Sequence, residues 1–151
     1  MNLLLDTNVL IDYLGRKAPF FHDAQMLVAA GYFKDATLWA PAGSAKNAFY
    51  VLSRYVASER IQDALVQAFE LITPVTLSKD DLVQAARLKW PDFEDCLVAV
   101  AALKCKADYI ITRDVRSFER SMVPAISPAE WLELMRETHD LEYATASGKV
   151  H

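Results

Sequence analysis

The apolar run at residues 3–5 ends directly at a carboxylate, Asp6, and a helical pattern begins after it. The run has no alternation of polar and apolar side chains, which is typical of a strand covered on both faces of a sheet. Further short strand-like runs lie at residues 37–41, 73–77, 108–112 and 123–126. Because helical patterns separate these runs, the sequence predicts a three-layer α/β fold, with a mostly parallel central sheet and helices on both faces.

Several predicted helices begin at a residue whose side chain is able to cap a helix. Ser44 and Ser58 are predicted to cap the third and fourth helices, and Ser78 with Asp81 is close to a capping box. The predicted helices cover residues 7–14, 18–33, 44–56, 58–72, 78–89, 91–106 and 127–137, and a short turn or helix covers residues 117–121.

The 151 residues suit a single domain, which we place at residues 1–137, followed by a loose tail at residues 138–151. No apolar run reaches the roughly 18 residues that a membrane-spanning helix needs, so no membrane partner is expected. The segment before Asp6 has no basic residue, so no signal peptide is indicated. Cys96 and Cys105 are therefore expected to be free thiols of a cytoplasmic protein.

Three aspartates stand at positions where a ligand site is expected in a parallel sheet. Asp6 follows the first predicted strand, Asp114 follows the strand at residues 108–112, and Asp95 lies in the first turn of the helix at residues 91–106. Asp6 and Asp114 could simply cap helices, and Asp92 could cap its helix with Asp95 as the acid of a capping box. Taken together, however, Asp6 and Asp114 share the edge of the sheet formed by the strand C-termini.

The neighbours of Asp95 at +3, +4 and +7 are small and apolar, so its face of the helix is expected to lie against the sheet. If that end of the helix meets the same edge, three carboxylates converge and repel one another. Hard divalent cations resolve such repulsion, and Mg²⁺ or Mn²⁺ takes oxygen ligands from carboxylates and water. The three aspartates therefore predict a site for one of these ions.

Two blocks of this sequence resemble the PIN-domain family, which includes the VapC-type toxin ribonucleases and stand-alone bacterial ribonucleases. "LLLDTNVLIDYL" resembles the opening block of the family and "DFEDCLVAVAALKCKADYIITRDVRSF" its closing block, so the resemblance covers residues 1–135. It implies a sheet of strand order 3-2-1-4-5 and a Mg²⁺ or Mn²⁺ site that cleaves RNA, with Asp6, Asp95 and Asp114 as catalytic metal ligands. It also implies a homodimer and, for a toxin, an antitoxin protein as partner.

One position departs from the pattern of the family. The family usually has a glutamate in the helix after the second strand, where this chain has Asn47. An amide oxygen can coordinate a cation or accept a hydrogen bond, but it adds no charge. Asp92 and Glu94 crowd the same helix end and could compensate, although a solvated role is expected for Glu94.

Other polar residues are weaker candidates for the same site. Thr7, Asn8 and Thr112 could orient the carboxylates, or they could be ordinary turn and capping residues. A net charge of −4 does not indicate a nucleic-acid binder, but a local basic cluster can still bind phosphate. Candidate RNA contacts flank the acids at Lys46, Arg54, Arg113 and Arg116, with Arg54 expected on the helical face of Asn47. Asp12 is expected to point away from Asp6 into solvent.

Two alternatives to a nuclease remain open at this point. An aspartyl-phosphate phosphatase also begins with an apolar strand that runs into an aspartate, but it needs a second aspartate two residues later, where this chain has Asn8. A PIN-like module with weakened metal affinity, which binds RNA or a protein without cleaving, is favoured by Asn47.

Overall fold

The computed structural model of the protein describes residues 1–143. Within these residues a five-stranded sheet runs in the order β3-β2-β1-β4-β5, and every neighbouring pair of strands is parallel. The strands are β1 (Asn2–Leu5), β2 (Thr37–Pro41), β3 (Ile72–Val75), β4 (Tyr109–Ile111) and β5 (Ala125–Ile126). The predicted α/β class and strand order are confirmed.

Helices connect the strands and cover both faces of the sheet. A short 3-10 helix, Val115–Phe118, follows β4. The α-helices are α1 (Thr7–Leu14), α2 (Phe21–Tyr32), α3 (Ala42–Leu52), α4 (Ser58–Ala68), α5 (Lys79–Arg87), α6 (Phe93–Lys104) and α7 (Pro128–His139).

Two apolar clusters lie on opposite faces of the sheet, as the unbroken leucine run requires. Leu3 and Leu5 pack with residues of α1, α2, α3 and α7, whereas Leu4 packs with the small residues of α6. All three leucines are at most 1% exposed. Burial of a leucine side chain contributes about 2 kcal/mol, so this run anchors both layers of helices to the central strand.

Two predicted helix caps are wrong. The third helix begins at Ala42 after Pro41, and Ser44 lies inside it, buried, with its Oγ 2.7 Å from the Thr7 Oγ1. Ser58 is the first residue of α4, and its helix begins after Ala57 without a side-chain cap. The hydroxyl of Ser44 serves a contact between helices, which local spacing does not reveal. The capping box of Ser78 and Asp81 is confirmed.

The chain after residue 137 continues in α7, which ends at His139. Tyr143 is 4% exposed and stacks on the buried Trp131, with ring centroids 6.3 Å apart. The remainder of the predicted tail, residues 144–151, lies outside the described part of the chain.

No helix between residues 1 and 143 combines the length and the apolar character that crossing a bilayer would require. Cys96 and Cys105 are both free thiols, as predicted.

Candidate metal site at the edge of the sheet

The candidate site lies where the order of the strands reverses. The central strand β1 pairs with β2 on one side and with β4 on the other, and the chain leaves β1 and β4 toward the same edge. The amide of Asp6 donates to the carbonyl of Ile111 at 2.9 Å, so the two strand ends are joined directly. Ligands of parallel α/β sheets bind in the crevice at such a reversal.

Asp6 is a buried carboxylate whose two oxygens both have donors. Its side chain caps α1, because Oδ1 accepts from the amide of Thr7 at 2.7 Å. Its Oδ2 accepts from the hydroxyl of Thr112 at 2.8 Å, and the Nδ2 of Asn8 lies 3.5 Å from the same oxygen. Burial raises the pKa of Asp6, and the hydrogen bonds from Thr112 and Thr7 oppose that rise.

Thr112 joins the first aspartate to the third. The fully buried hydroxyl of Thr112 donates to Asp6 and accepts from the amide of Asp114 at 3.0 Å. The Nδ2 of Asn8 lies 3.3 Å from the same hydroxyl oxygen. Sequence reasoning missed one contact of Asp114, whose Oδ2 accepts from the Ser117 hydroxyl at 2.6 Å. The spacing of an aspartate and a serine three residues later is a local signal that indicates such a bond.

Asp95 enters the site from the first turn of α6. The side chain of Asp92 caps this helix by accepting from the amide of Asp95 at 3.0 Å, so the expected capping role of Asp92 is confirmed. Partial burial raises the pKa of Asp95 to about 6, and the negative charges of four other carboxylates add to the rise. These carboxylates belong to Asp92, Asp6, Asp114 and Glu94. The charges of the other two predicted ligands, Asp6 and Asp114, therefore act on Asp95.

The three aspartates line one open cleft of about 470 Å³. Its opposite wall is a face of α3, including Tyr50 and Val51, which sequence reasoning did not single out. Tyr50 is 70% exposed. The lining residues are Asp6, Thr7, Asn8, Ile11, Lys46, Asn47, Tyr50, Val51, Glu94, Asp95 and Asp114.

Asn47 and Glu94 meet at the rim of this cleft. The Nδ2 of Asn47 donates to the Oε1 of Glu94 at 3.0 Å, across the gap between α3 and α6. Asn47 therefore lies beside the acidic residues that line the cleft. Glu94 is exposed, and its carboxylate is also bound to Asn47.

Only part of the predicted basic cluster faces the cleft. Lys46 lines it, whereas Arg54 and Arg116 are exposed and do not belong to its lining. The expected shared helical face of Arg54 and Asn47 is wrong, because α3 ends at Leu52. The expected solvation of Asp12 is also wrong, because Asp12 is 1% exposed and pairs with Arg113. Arg113 thus has a protein partner in place of a free surface.

The donor set of the cleft suits a hard divalent cation, since its acidic side chains all offer oxygen atoms and the carboxyls of Asp6 and Asp95 both have a raised pKa. Within residues 1–143 no group of three His, Cys, Asp or Glu side chains already stands at metal-binding spacing. The carboxylate of Asp114 is turned toward Ser117 by its hydrogen bond. The residues fit the ion by chemistry and by location on one cleft.

Solved structures with similar folds include chains of VapBC complexes. One is a chain of VapBC2 from Rickettsia felis bound to a DNA fragment from its promoter, with a TM-score of 0.64, 16% identity, and coverage of 84% of this chain and 98% of that one. A chain of VapBC-1 from nontypeable Haemophilus influenzae has a TM-score of 0.63 at 17% identity, with coverage of 85% of this chain and 99% of that one. VapC20 from Mycobacterium tuberculosis, a Sarcin-Ricin loop cleaving toxin, gives 0.57 at 10% identity, with coverage of 72% and 86%. These likenesses describe the fold alone.

No curated protein sequence matches this chain. The PIN domain model matches residues 2–116, a span that contains β1 to β4 and all three aspartates of the cleft. The chain belongs to the PIN domain family.

Proposed function

We propose that the protein is a metal-dependent ribonuclease that hydrolyses RNA phosphodiester bonds. The observation that carries the proposal is the convergence of Asp6, Asp95 and Asp114 on one cleft at the strand reversal. They come from three distant segments of the chain, and the pKa of Asp95 is raised to about 6 partly by the other two carboxylates. A fold has no stability reason to gather negative charges in this way, whereas a divalent cation would stabilise them.

The three aspartates would hold Mg²⁺ or Mn²⁺, with Asn47 as a neutral oxygen ligand or a hydrogen-bond partner of a bound water. When bound, the ion would lower the pKa of a bound water and neutralise charge that develops on the phosphate oxygens. The residues around it have separate tasks. Thr112 orients the Asp6 carboxylate, and Thr7 and Asn8 hold the same group from the α1 side. Lys46 at the cleft and the exposed Arg116, two residues after Asp114, would attract the RNA backbone.

The biological setting is part of the proposal. Because the similar structures include VapBC and FitAB complexes, we propose an antitoxin protein as partner. A homodimeric assembly and a cytoplasmic location are proposed from the resemblance to the PIN-domain family. Tyr32 is 68% exposed and Phe20 38% exposed, so both are accessible to a second protein.

A second candidate is an RNA-binding or protein-binding module of the same fold that cleaves weakly or not at all. Asn47 favours it, because a neutral amide stands where the family usually has a fourth carboxylate, and this amide donates a hydrogen bond to Glu94. Metal affinity falls with the number of charged ligands, so activity is the property that separates the two candidates.

The test is cleavage of end-labelled single-stranded RNA by the purified protein with Mg²⁺ or Mn²⁺. We expect cleavage that stops in excess chelator and returns on addition of the ion. Asp6→Asn should reduce the rate at least about 100-fold, because loss of one ligand or its orientation weakens metal binding by that order. Asp63→Asn, an exposed aspartate of α4, is the matched control and should retain parental activity.

Cleavage that continues at full rate in chelator contradicts the metal mechanism. Full activity of Asp6→Asn contradicts the assignment of Asp6. RNA binding without cleavage under every metal condition supports the binding module.

A further inference from the structure

An ion pair outside the acidic cleft joins α1 to the loop that follows β4. The Nε of Arg113 donates to the Oδ2 of Asp12 at 2.6 Å, and its Nη2 donates to the Oδ1 at 3.3 Å. The two residues are 101 positions apart. The side chain of Asp12 is 2% exposed and that of Arg113 is 29% exposed. A bidentate pair with one buried carboxylate has a fixed geometry, unlike most surface pairs.

The flat face of the same guanidinium is also occupied. The Cζ of Arg113 lies 4.0 Å from the centre of the Phe20 ring, which is within the range of a cation–π contact. One edge of the guanidinium thus binds a carboxylate and one face lies on an aromatic ring. A side chain held in this way is poorly available to an RNA phosphate.

The ion pair connects the two chain segments that carry the proposed ligands Asp6 and Asp114. Arg113 is the residue before Asp114, and Asp12 belongs to the helix that Asp6 caps. The backbone amide of Arg113 also donates to the Oδ1 of Asn8 at 3.3 Å, so a second bond runs in parallel. Movement of the loop after β4 away from α1 would therefore break both contacts and carry Asp114 away from Asp6.

We propose that Arg113 is a positioning residue, which acts through Asp12 and Phe20 to hold the loop after β4 so that Asp114 stays on the cleft that it shares with Asp6. This extends the proposed function, since it concerns the same cleft, but the holding of the loop is a property of the protein alone. Arg113 is accordingly not an RNA contact.

The first test is amide hydrogen exchange of the metal-free protein. Arg113→Gln leaves the buried Asp12 carboxylate without its counter-ion, and Asp12→Asn removes the group that holds the Arg113 side chain against α1. Each variant should therefore speed exchange in residues 112–118 about tenfold or more. The segment of α3 at residues 46–52 should keep its parental exchange. Arg116→Gln is the matched control, an exposed arginine of the same loop, and should change neither segment.

The double variant Asp12→Asn with Arg113→Gln separates a specific pair from general damage. If the two residues act as one unit, the double variant should exchange no faster than the worse single variant. Phe20→Leu leaves the ion pair intact and should give a smaller increase in the same segment. Unchanged exchange at residues 112–118 in both single variants would overturn the inference, as would effects that multiply in the double variant.

The second test uses Mn²⁺ affinity by calorimetry and the salt dependence of RNA binding. A positioning role predicts that both single variants lose Mn²⁺ affinity and kcat by a similar factor, while KM and the slope of log affinity against log salt stay as in the parent. An RNA contact predicts instead that Arg113→Gln alone reduces that slope by about 1, which would overturn the inference. If the parent cleaves no RNA, the proposed function fails, and hydrogen exchange still decides the positioning role.

Discussion

Replacement of Thr112 by valine tests how the protein holds its buried carboxylate. Valine keeps nearly the same shape at a position that is fully buried, so no large cavity forms. The change removes the hydroxyl that donates to Asp6 at 2.8 Å and accepts from the Asp114 amide at 3.0 Å. A hydrogen bond to a charged group contributes about 1.5–3 kcal/mol. We therefore expect the free energy of unfolding to fall by about 2 kcal/mol near neutral pH.

The loss should depend on pH in a defined direction. Burial already raises the pKa of Asp6, and the Thr112 hydroxyl lowers it, so Thr112→Val should raise this pKa further. The hydrogen bond favours the ionised carboxylate, so its contribution is complete above the pKa of Asp6 and shrinks as the pH falls through it. The gap between parent and variant should thus narrow in acid.

Thermal melts of the metal-free proteins measure the effect. For a chain of this size, about 2 kcal/mol corresponds to a fall in Tm of roughly 4–8 °C. Thr73→Val, at an exposed position of β3, is the matched control and should stay within about 0.5 kcal/mol of the parent. A Thr112→Val protein with the parental Tm at neutral pH, or with a Tm difference from the parent that does not change with pH, would show that the Thr112 hydroxyl does not stabilise the ionised Asp6.

Two further predictions concern charge in the cleft. Asp95→Asn should stabilise the metal-free protein near pH 8 and give little gain in stability below about pH 4. The pKa of Asp95 is raised to about 6 in the folded protein, so ionisation of this group destabilises the fold increasingly as the pH rises from about 4 to about 6. Equal Tm shifts at the two pH values would contradict this. Asn47→Glu should tighten Mn²⁺ binding in calorimetry and lower the Tm without metal, because it replaces the hydrogen bond to Glu94 with a repulsive pair of carboxylates. Parental affinity and an unchanged metal-dependent rise in Tm would place Asn47 outside the site.

The sheet could be predicted because short apolar runs in the sequence indicate its strands. The leucine run before Asp6 and the apolar run before Thr112 each specify a strand buried on both faces, and the small residues of α6 specify a helix that lies close to the sheet. The order of the strands came from family resemblance, since local periodicity does not determine which strands are neighbours. The positions of Asp6 and Asp114 at one edge then follow from parallel pairing.

Contacts between distant segments were the part that sequence reasoning missed. The spacing of Asp12 from Asp6 predicts a solvent-facing position on another face of α1, but Asp12 is buried against Arg113, a partner 101 residues away. The preference of serine for helix N-termini predicts a cap at Ser44, yet its hydroxyl lies 2.7 Å from that of Thr7. Such pairs depend on how elements pack, which no single segment encodes.

A divalent cation site formed by Asp6, Asp95 and Asp114 is tested most directly by a crystal structure of the protein with Mn²⁺, in which the ion is located by its anomalous scattering. We expect a peak in the cleft with carboxylate oxygens of all three aspartates at about 2.0–2.3 Å, and with Asp114 turned from Ser117 toward the ion. A cleft without Mn²⁺ at millimolar concentration, or an ion held by residues outside these three, would contradict it.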